Sequence, residues 1–242
     1  MATIILIDPK TGFPLCVAEG SWITAMRTGA AGGVAARYLS REDSETVGII
    51  GAGIQGRTQL LAVNEVREIS TVKVADILDE ARSKYVAEME DKMGLRMLPV
   101  KSTREAAEDV DILVTATPST KPLVKRSYIA DGTHINAIGA DAPGKQELDP
   151  EILREAKIVV DDWEQASHSG EIRSAVSKET LSRDAVHAEL GDIIVGRKLG
   201  RTSNDEITLF DSTGLAIQDV TLAWAVYEKA ARKGVGSWVK II

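Results

Sequence analysis

The residues Gly51-Ala52-Gly53-Ile54-Gln55-Gly56 have the spacing of a loop that cradles the pyrophosphate of a dinucleotide. In such a loop the first glycine permits a tight turn, the second lets the backbone approach the phosphates, and the third lets a helix lie close against a strand. A helix that starts there points its unpaired N–H groups and positive dipole end at the anion. Asp76 stands 20 residues beyond Gly56. At that distance a carboxylate accepts hydrogen bonds from the adenine ribose hydroxyls and repels a 2′-phosphate, so NAD is expected over NADP. Ile77 and Leu78 beside it are expected to line the adenosine, while Arg82 offers a cation that would soften the preference.

A glycine triplet means little unless a strand precedes it and a helix follows. Here 46–50 reads as a buried strand, 54–68 as a helix, 71–75 as a strand ending just before Asp76, and 79–93 as a second helix. The alternation continues through a short strand at 97–100, a helix at 102–108, a strand at 111–117, and β-branched runs at 133–138 and 157–160. The fold class is therefore α/β, a Rossmann-type doubly wound parallel sheet over 41–165. Ligands of such sheets sit beyond the C-terminal strand ends. Two of those ends carry informative residues: Thr117 and Pro118, suited to a wall beside the cofactor, and 136–145, where Asn136, Asp141 and Lys145 bring an amide, a carboxylate and an amine toward the nicotinamide end.

The flanks read differently. Residues 3–18 form a hairpin around the turn-forming 8–12, and 21–39 is a helix unusually rich in Gly and Ala, which permits close backbone approach. Thr3 to Ile7 is apolar enough to need neighbours on both sides. After 165 come helices near 185–198, a strand at 206–210, and an amphipathic helix over 215–232 with Leu215, Val220, Leu222 and Val226 as its buried face. Residues 1–40 and 166–242 are thus expected to form a second region, for substrate and dimerisation, around the 41–165 nucleotide domain. A net charge of −7 leaves no broad basic face for nucleic acid. The single cysteine, Cys16, excludes an internal disulfide, and His134, His168 and His187 lack metal-ligand spacing. No apolar run is long enough for a membrane span or an export leader, so a reducing cytoplasm is expected.

Arg27-Thr28-Gly29-Ala30-Ala31, the glycine loop, the stretch from Asn136 to Leu148, and Asp211-Ser212-Thr213-Gly214-Leu215-Ala216-Ile217-Gln218-Asp219 together resemble the ornithine cyclodeaminase and mu-crystallin family, in particular its alanine dehydrogenase branch. The resemblance implies a nucleotide domain inserted into a dimer-forming domain built from both chain ends. It implies that Arg27, with Thr28, meets the substrate carboxylate or the cofactor, and that Asp141 acts at the reacting carbon on protons, amine and water. By the same resemblance Ile54 and Gln55 meet the pyrophosphate, Asp76 the adenine ribose, Asn136, Ala137 and Ile138 the nicotinamide half, and Ser212 the far cofactor wall. It also implies an upstream segment, with an arginine and a lysine for substrate, which this chain is expected to lack. The implied activity is NAD-dependent oxidative deamination of a small amino acid to a 2-oxo acid by a homodimer. Two alternatives stay open: ornithine cyclodeamination with NAD retained, and an NAD-binding protein of the mu-crystallin kind or an inactive fragment.

Overall fold

The computed structural model describes residues 2–240. It divides into two compact units, Thr28–Gly214 and a smaller one formed by Met1–Arg27 with Leu215–Ile242. In the smaller unit β1 (Thr3–Ile7) pairs antiparallel with β2 (Pro14–Glu19), as the hairpin reading expects. The Asp8 carboxylate closes the turn, accepting from the Lys10 N–H and the Thr11 hydroxyl at 2.9 Å each. Helix α1 (Gly20–Leu39) follows and continues into the larger unit.

The larger unit is built on a parallel sheet of β3 (Thr46–Ile50), β4 (Thr71–Ala75), β5 (Arg96–Pro99), β6 (Ile112–Thr115), β7 (His134–Ala137), β8 (Lys157–Val160), β9 (Val186–Glu189) and β10 (Thr208–Asp211). Their order is β5-β4-β3-β6-β7-β10-β8-β9. The chain runs outward from β3 in one direction and then returns to add β6 on its other side, which makes the C-terminal ends of β3 and β6 the switch point where such sheets take ligands. Parallel strands are covered on both faces, and the sequence shows why: Val47, Ile49, Val72, Val74, Ile112 and Val114 pack with Leu60 and Val63 of α2 (Ile54–Asn64) and with Tyr85 and Met89 of α3 (Asp79–Met93). Ile50, Leu113, Ile135, Ile158 and Val160 face a different cluster, with Ala106 and Ala107 of α4 (Thr103–Ala107) and Ile152 and Leu153 of α5 (Pro150–Glu155).

The part of α1 within this unit packs on α2 nearly backbone to backbone. A Cβ on Gly29 would stand 2.5 Å from the Thr58 carbonyl oxygen, and one on Gly33 would stand 2.8 Å from the Ala62 side chain. That is the close approach its Gly/Ala-rich sequence permits.

Three expectations need correction. The sheet does not stop near residue 165: β10 lies between β7 and β8 and pairs parallel with both, so the compact unit runs to Gly214. Long-range strand pairing sets that boundary, and local patterning carries no trace of it. The start of the expected helix at 185–198 is instead edge strand β9, followed by the short α8 (Leu190–Ile194). In the smaller unit, helix α9 (Ala216–Lys233) buries Ala223, whereas Val220 and Val226 are exposed. Among the described residues no helix is long and apolar enough to cross a membrane.

Candidate active site

At the end of β3 the chain turns through Gly51, whose φ of +106° lies in the region that side chains disfavour. A Cβ on Gly56 would meet the Gly51 carbonyl oxygen at 2.4 Å, so only glycine lets α2 start this close to the strand. Gly53, by contrast, has open space where a Cβ would stand. A turn, an open backbone position and a tight helix contact are the three functions the glycine spacing requires.

Asp76 fastens this loop to the end of β4. Its Oδ2 accepts the Ala52 N–H at 2.8 Å and its Oδ1 accepts the Leu78 N–H at 2.9 Å. Ile77 and Leu78 are exposed, at 96% and 62%, and with residues 79–81 and Lys84 line a hollow of about 520 Å³. Large apolar side chains held out beside a carboxylate suit the faces of a flat base. Arg82 is engaged beside the hollow: it donates to the Asp79 carboxylate at 2.6 Å and reaches the Asp76 carbonyl at 3.4 Å.

A second cation braces the loop from below. Arg57 donates to the carbonyls of Ala52 and Gly53, at 2.5 and 3.0 Å, and to Glu88 at 2.8 Å, with its guanidinium 4.8 Å from the centre of the Tyr85 ring. The Tyr85 hydroxyl donates to the Gly56 carbonyl at 3.0 Å, and burial pushes its pKa well above the ordinary phenol value. Ile54 is half exposed at the start of α2, and the Gln55 side chain accepts from Thr58 at 3.3 Å.

Past the other strand ends, Asp141 and Lys145, four residues apart in a loop, form an ion pair, with the Asp141 side chain 53% exposed. The Thr117 hydroxyl donates inward to Glu147 at 2.7 Å, and Pro118 beside it is exposed. Ser212 follows β10 with its hydroxyl buried and without a hydrogen-bond partner among the described residues. A buried hydroxyl left unpaired beyond the C-terminal edge of a parallel sheet is suited to a polar ligand group. Together with the open backbone at Gly53 and the acceptor at Asp76, it fits a dinucleotide.

Some candidates lie elsewhere. Asn136 is fully buried in β7, where its amide donates to the Gly32 carbonyl at 3.1 Å and accepts from His134 at 2.9 Å. Ala137 and Ile138 are likewise core residues, because a central strand of this sheet is covered on both faces. The first exposed residue past that strand end is Asp141. His134 is a core residue too, hydrogen-bonded to Thr208 and held neutral by burial, its pKa driven down to about 3. Thr28 is buried, its carbonyl accepting from Gln59 at 2.8 Å. In the smaller unit Arg27 forms an ion pair with Asp219 at 3.3 Å and approaches Gln218 at 3.5 Å, so its guanidinium is oriented by the first turn of α9.

The strand order, the switch point and the glycine loop define a Rossmann-type protein. The sequence profile of the ornithine cyclodeaminase/mu-crystallin family matches residues 1–234, and the chain belongs to that family. It is 54% identical over 241 residues to an alanine dehydrogenase of Archaeoglobus fulgidus, covering 99% of this chain and 74% of that protein. It superposes with a TM-score of 0.95 on an archaeal alanine dehydrogenase dimer with bound NAD, at 53% identity, covering 99% of this chain and 74% of that one. A Thermococcus litoralis Δ1-pyrroline-2-carboxylate reductase in complex with NADH and L-proline is also similar, with a TM-score of 0.95 and 49% identity over 98% of this chain and 74% of that one.

Sequence reasoning passed over Glu147, Glu171 and Arg57. Glu147 sits inside a quoted motif, yet nothing local distinguishes a buried glutamate from a solvated one. Its only signal is position, just past the loop that carries Asp141.

Proposed function

We propose that this chain is an NAD-dependent oxidoreductase acting at the carbon–nitrogen bond of a small α-amino or α-imino acid, of the alanine dehydrogenase type. The observation that carries the reading is the glycine loop fastened by Asp76, with Arg82 paired to Asp79. The 54% identity to an alanine dehydrogenase supports the finer assignment.

In this reading L-alanine, NAD⁺ and water give pyruvate, ammonium, NADH and a proton. Bound NAD supplies the two-electron acceptor for the substrate α-carbon. The backbone N–H groups at the start of α2 hold the pyrophosphate, Asp76 the adenine ribose, and Ser212 a polar group of the cofactor. Asp141, exposed on its loop and paired with Lys145, takes protons from the amine and from the water that hydrolyses the imine. Lys145, paired with it, orients that carboxylate. Arg27 provides the planar cation for the substrate carboxylate, its direction set by Asp219. We further propose a cytoplasmic homodimer, a reading supported by the lone Cys16 and by the dimer seen for the archaeal relative.

The second reading, reduction of a cyclic imino acid, is favoured by the 49% identity to the pyrroline-2-carboxylate reductase. Read toward the amino acid, both reactions reduce a C=N bond beside a carboxylate. The test is a screen of NADH oxidation with pyruvate plus ammonium against Δ1-pyrroline-2-carboxylate, and of NADH production with alanine, proline and ornithine. Fastest turnover with pyruvate and ammonium is expected. Preference for the cyclic imine would move the assignment to the second reading, and NADH binding without turnover on any of them would refute both.

A further inference from the structure

Three carboxylates in the larger unit have no role so far and are buried from solvent: Glu147, Glu171 and Asp211, exposed by 0, 1 and 0%. They form a chain in which each holds the backbone at or beside the residue that carries the next. Asp211, the last residue of β10, accepts the Glu171 and Ile172 N–H groups at 3.0 Å, one on each oxygen. Glu171 accepts the Glu147 N–H at 3.0 Å and the Leu148 N–H at 2.6 Å. Glu147 accepts the Thr117 N–H at 2.8 Å and the Thr117 hydroxyl at 2.7 Å on Oε1, and the Gly139 N–H at 2.9 Å on Oε2.

Thr117 follows β6 by two residues and Gly139 follows β7 by two. Asp141 lies between Gly139 and Glu147, so both ends of its loop hang from this chain. Burying carboxylates whose partners are N–H groups and a hydroxyl is costly, and apolar side chains would fill the same space more stably. What a carboxylate adds is two acceptor atoms at a fixed separation, able to hold two loops in one register.

We propose that Glu147, Glu171 and Asp211 are positioning residues, a relay that suspends the Asp141 loop from the C-terminal ends of β6, β7 and β10 and thereby sets the reach of the Asp141 carboxylate. The inference rests on the dehydrogenase reading for what Asp141 does, and on hydrogen bonds alone for how its loop is held. Glutamine at 147 cannot replace the relay, since it offers one acceptor and turns an NH₂ toward either Thr117 or Gly139. Aspartate keeps both acceptors on a shorter arm.

Residue-resolved hydrogen exchange and steady-state kinetics of the wild-type chain, E147Q, E147D and E171Q test this. In the wild type, the amides of Thr117, Gly139, Glu147 and Leu148 should be protected like those of the central strands. E147Q should lose that protection over 139–148 and lose kcat by about 100-fold per folded molecule, while NADH affinity stays near wild type, because the phosphate loop and Asp76 are untouched. E171Q should repeat this at Glu147 and Leu148, and E147D should recover part of the kcat. Wild-type amides at these four positions exchanging as freely as exposed loops would overturn the relay, even if no variant folds. So would an E147Q protein with a loosened 139–148 loop and unchanged kcat. If the wild type turns over no imino acid, the dehydrogenase reading fails, while the exchange experiment still decides whether the loop is suspended.

Discussion

At the scale of single residues, the proposed function assigns binding to Asp76 and chemistry to Asp141. Asp76 holds the glycine loop through the Ala52 N–H, and the proposed function gives the same carboxylate a second task at the adenine ribose. Asp76→Ala should therefore weaken NADH binding by about 10- to 100-fold, the range of a lost hydrogen bond to a charged group. It should also narrow the preference over NADPH, because the repulsion of a 2′-phosphate goes with it. Fluorescence titration with both cofactors measures this, and unchanged affinities would sink the Asp76 assignment. Asp141→Asn keeps the size of the side chain but removes the proposed base. Turnover should fall by at least about 100-fold with NADH affinity near wild type, read by the same titration and by initial rates.

Among the elements, the contact of α1 with α2 is the one with least room to adjust. Gly29→Ala would drive a methyl group into the Thr58 carbonyl, a backbone atom that cannot swing aside, and should cost about 1–3 kcal/mol. A thermal melt should show a lower midpoint, whereas alanine at Gly53, where a Cβ finds open space, should leave the midpoint nearly unchanged. These helices and strands were also the most legible part of the sequence. The runs at 46–50 and 71–75 and the helix starting at Ile54 stand where periodicity placed them, because a strand covered on both faces must be apolar throughout. The position of β10 was not legible: its partners lie some 50 to 70 residues upstream, and nothing in Thr208–Asp211 names them. For the same reason Asn136 read as a strand-end ligand, although its register puts it inside the sheet. Glu147 and Glu171 are readable only once the N–H groups that meet them are in place.

For the whole molecule, the buried carboxylates leave a mark on stability. Burial, reinforced by neighbouring Glu147 and Asp211, raises Glu171 to about 8, and burial with Asp161 nearby raises Asp211 to about 7. Both values lie above those of the unfolded chain, so the stability linked to these protons is full at low pH and is lost as pH rises through 7 and 8. His134 runs the other way: its depressed value means that its share is lost as pH falls below about 6.5. Between pH 6.5 and 8 only the carboxylates count among these three. Denaturant unfolding should show a decline there on the order of 2 kcal/mol, and Asp211→Asn should flatten its lower half. A profile that rises across this window would contradict the assignment. The brace beneath the phosphate loop has a separate consequence. With Arg57 committed to Ala52, Gly53, Glu88 and Tyr85, the phosphates meet aligned backbone dipoles instead of a free guanidinium. A loop that meets the phosphates without a free cation offers salt no ion pair to screen, so cofactor affinity should vary little with ionic strength, in dilute and in concentrated buffer alike.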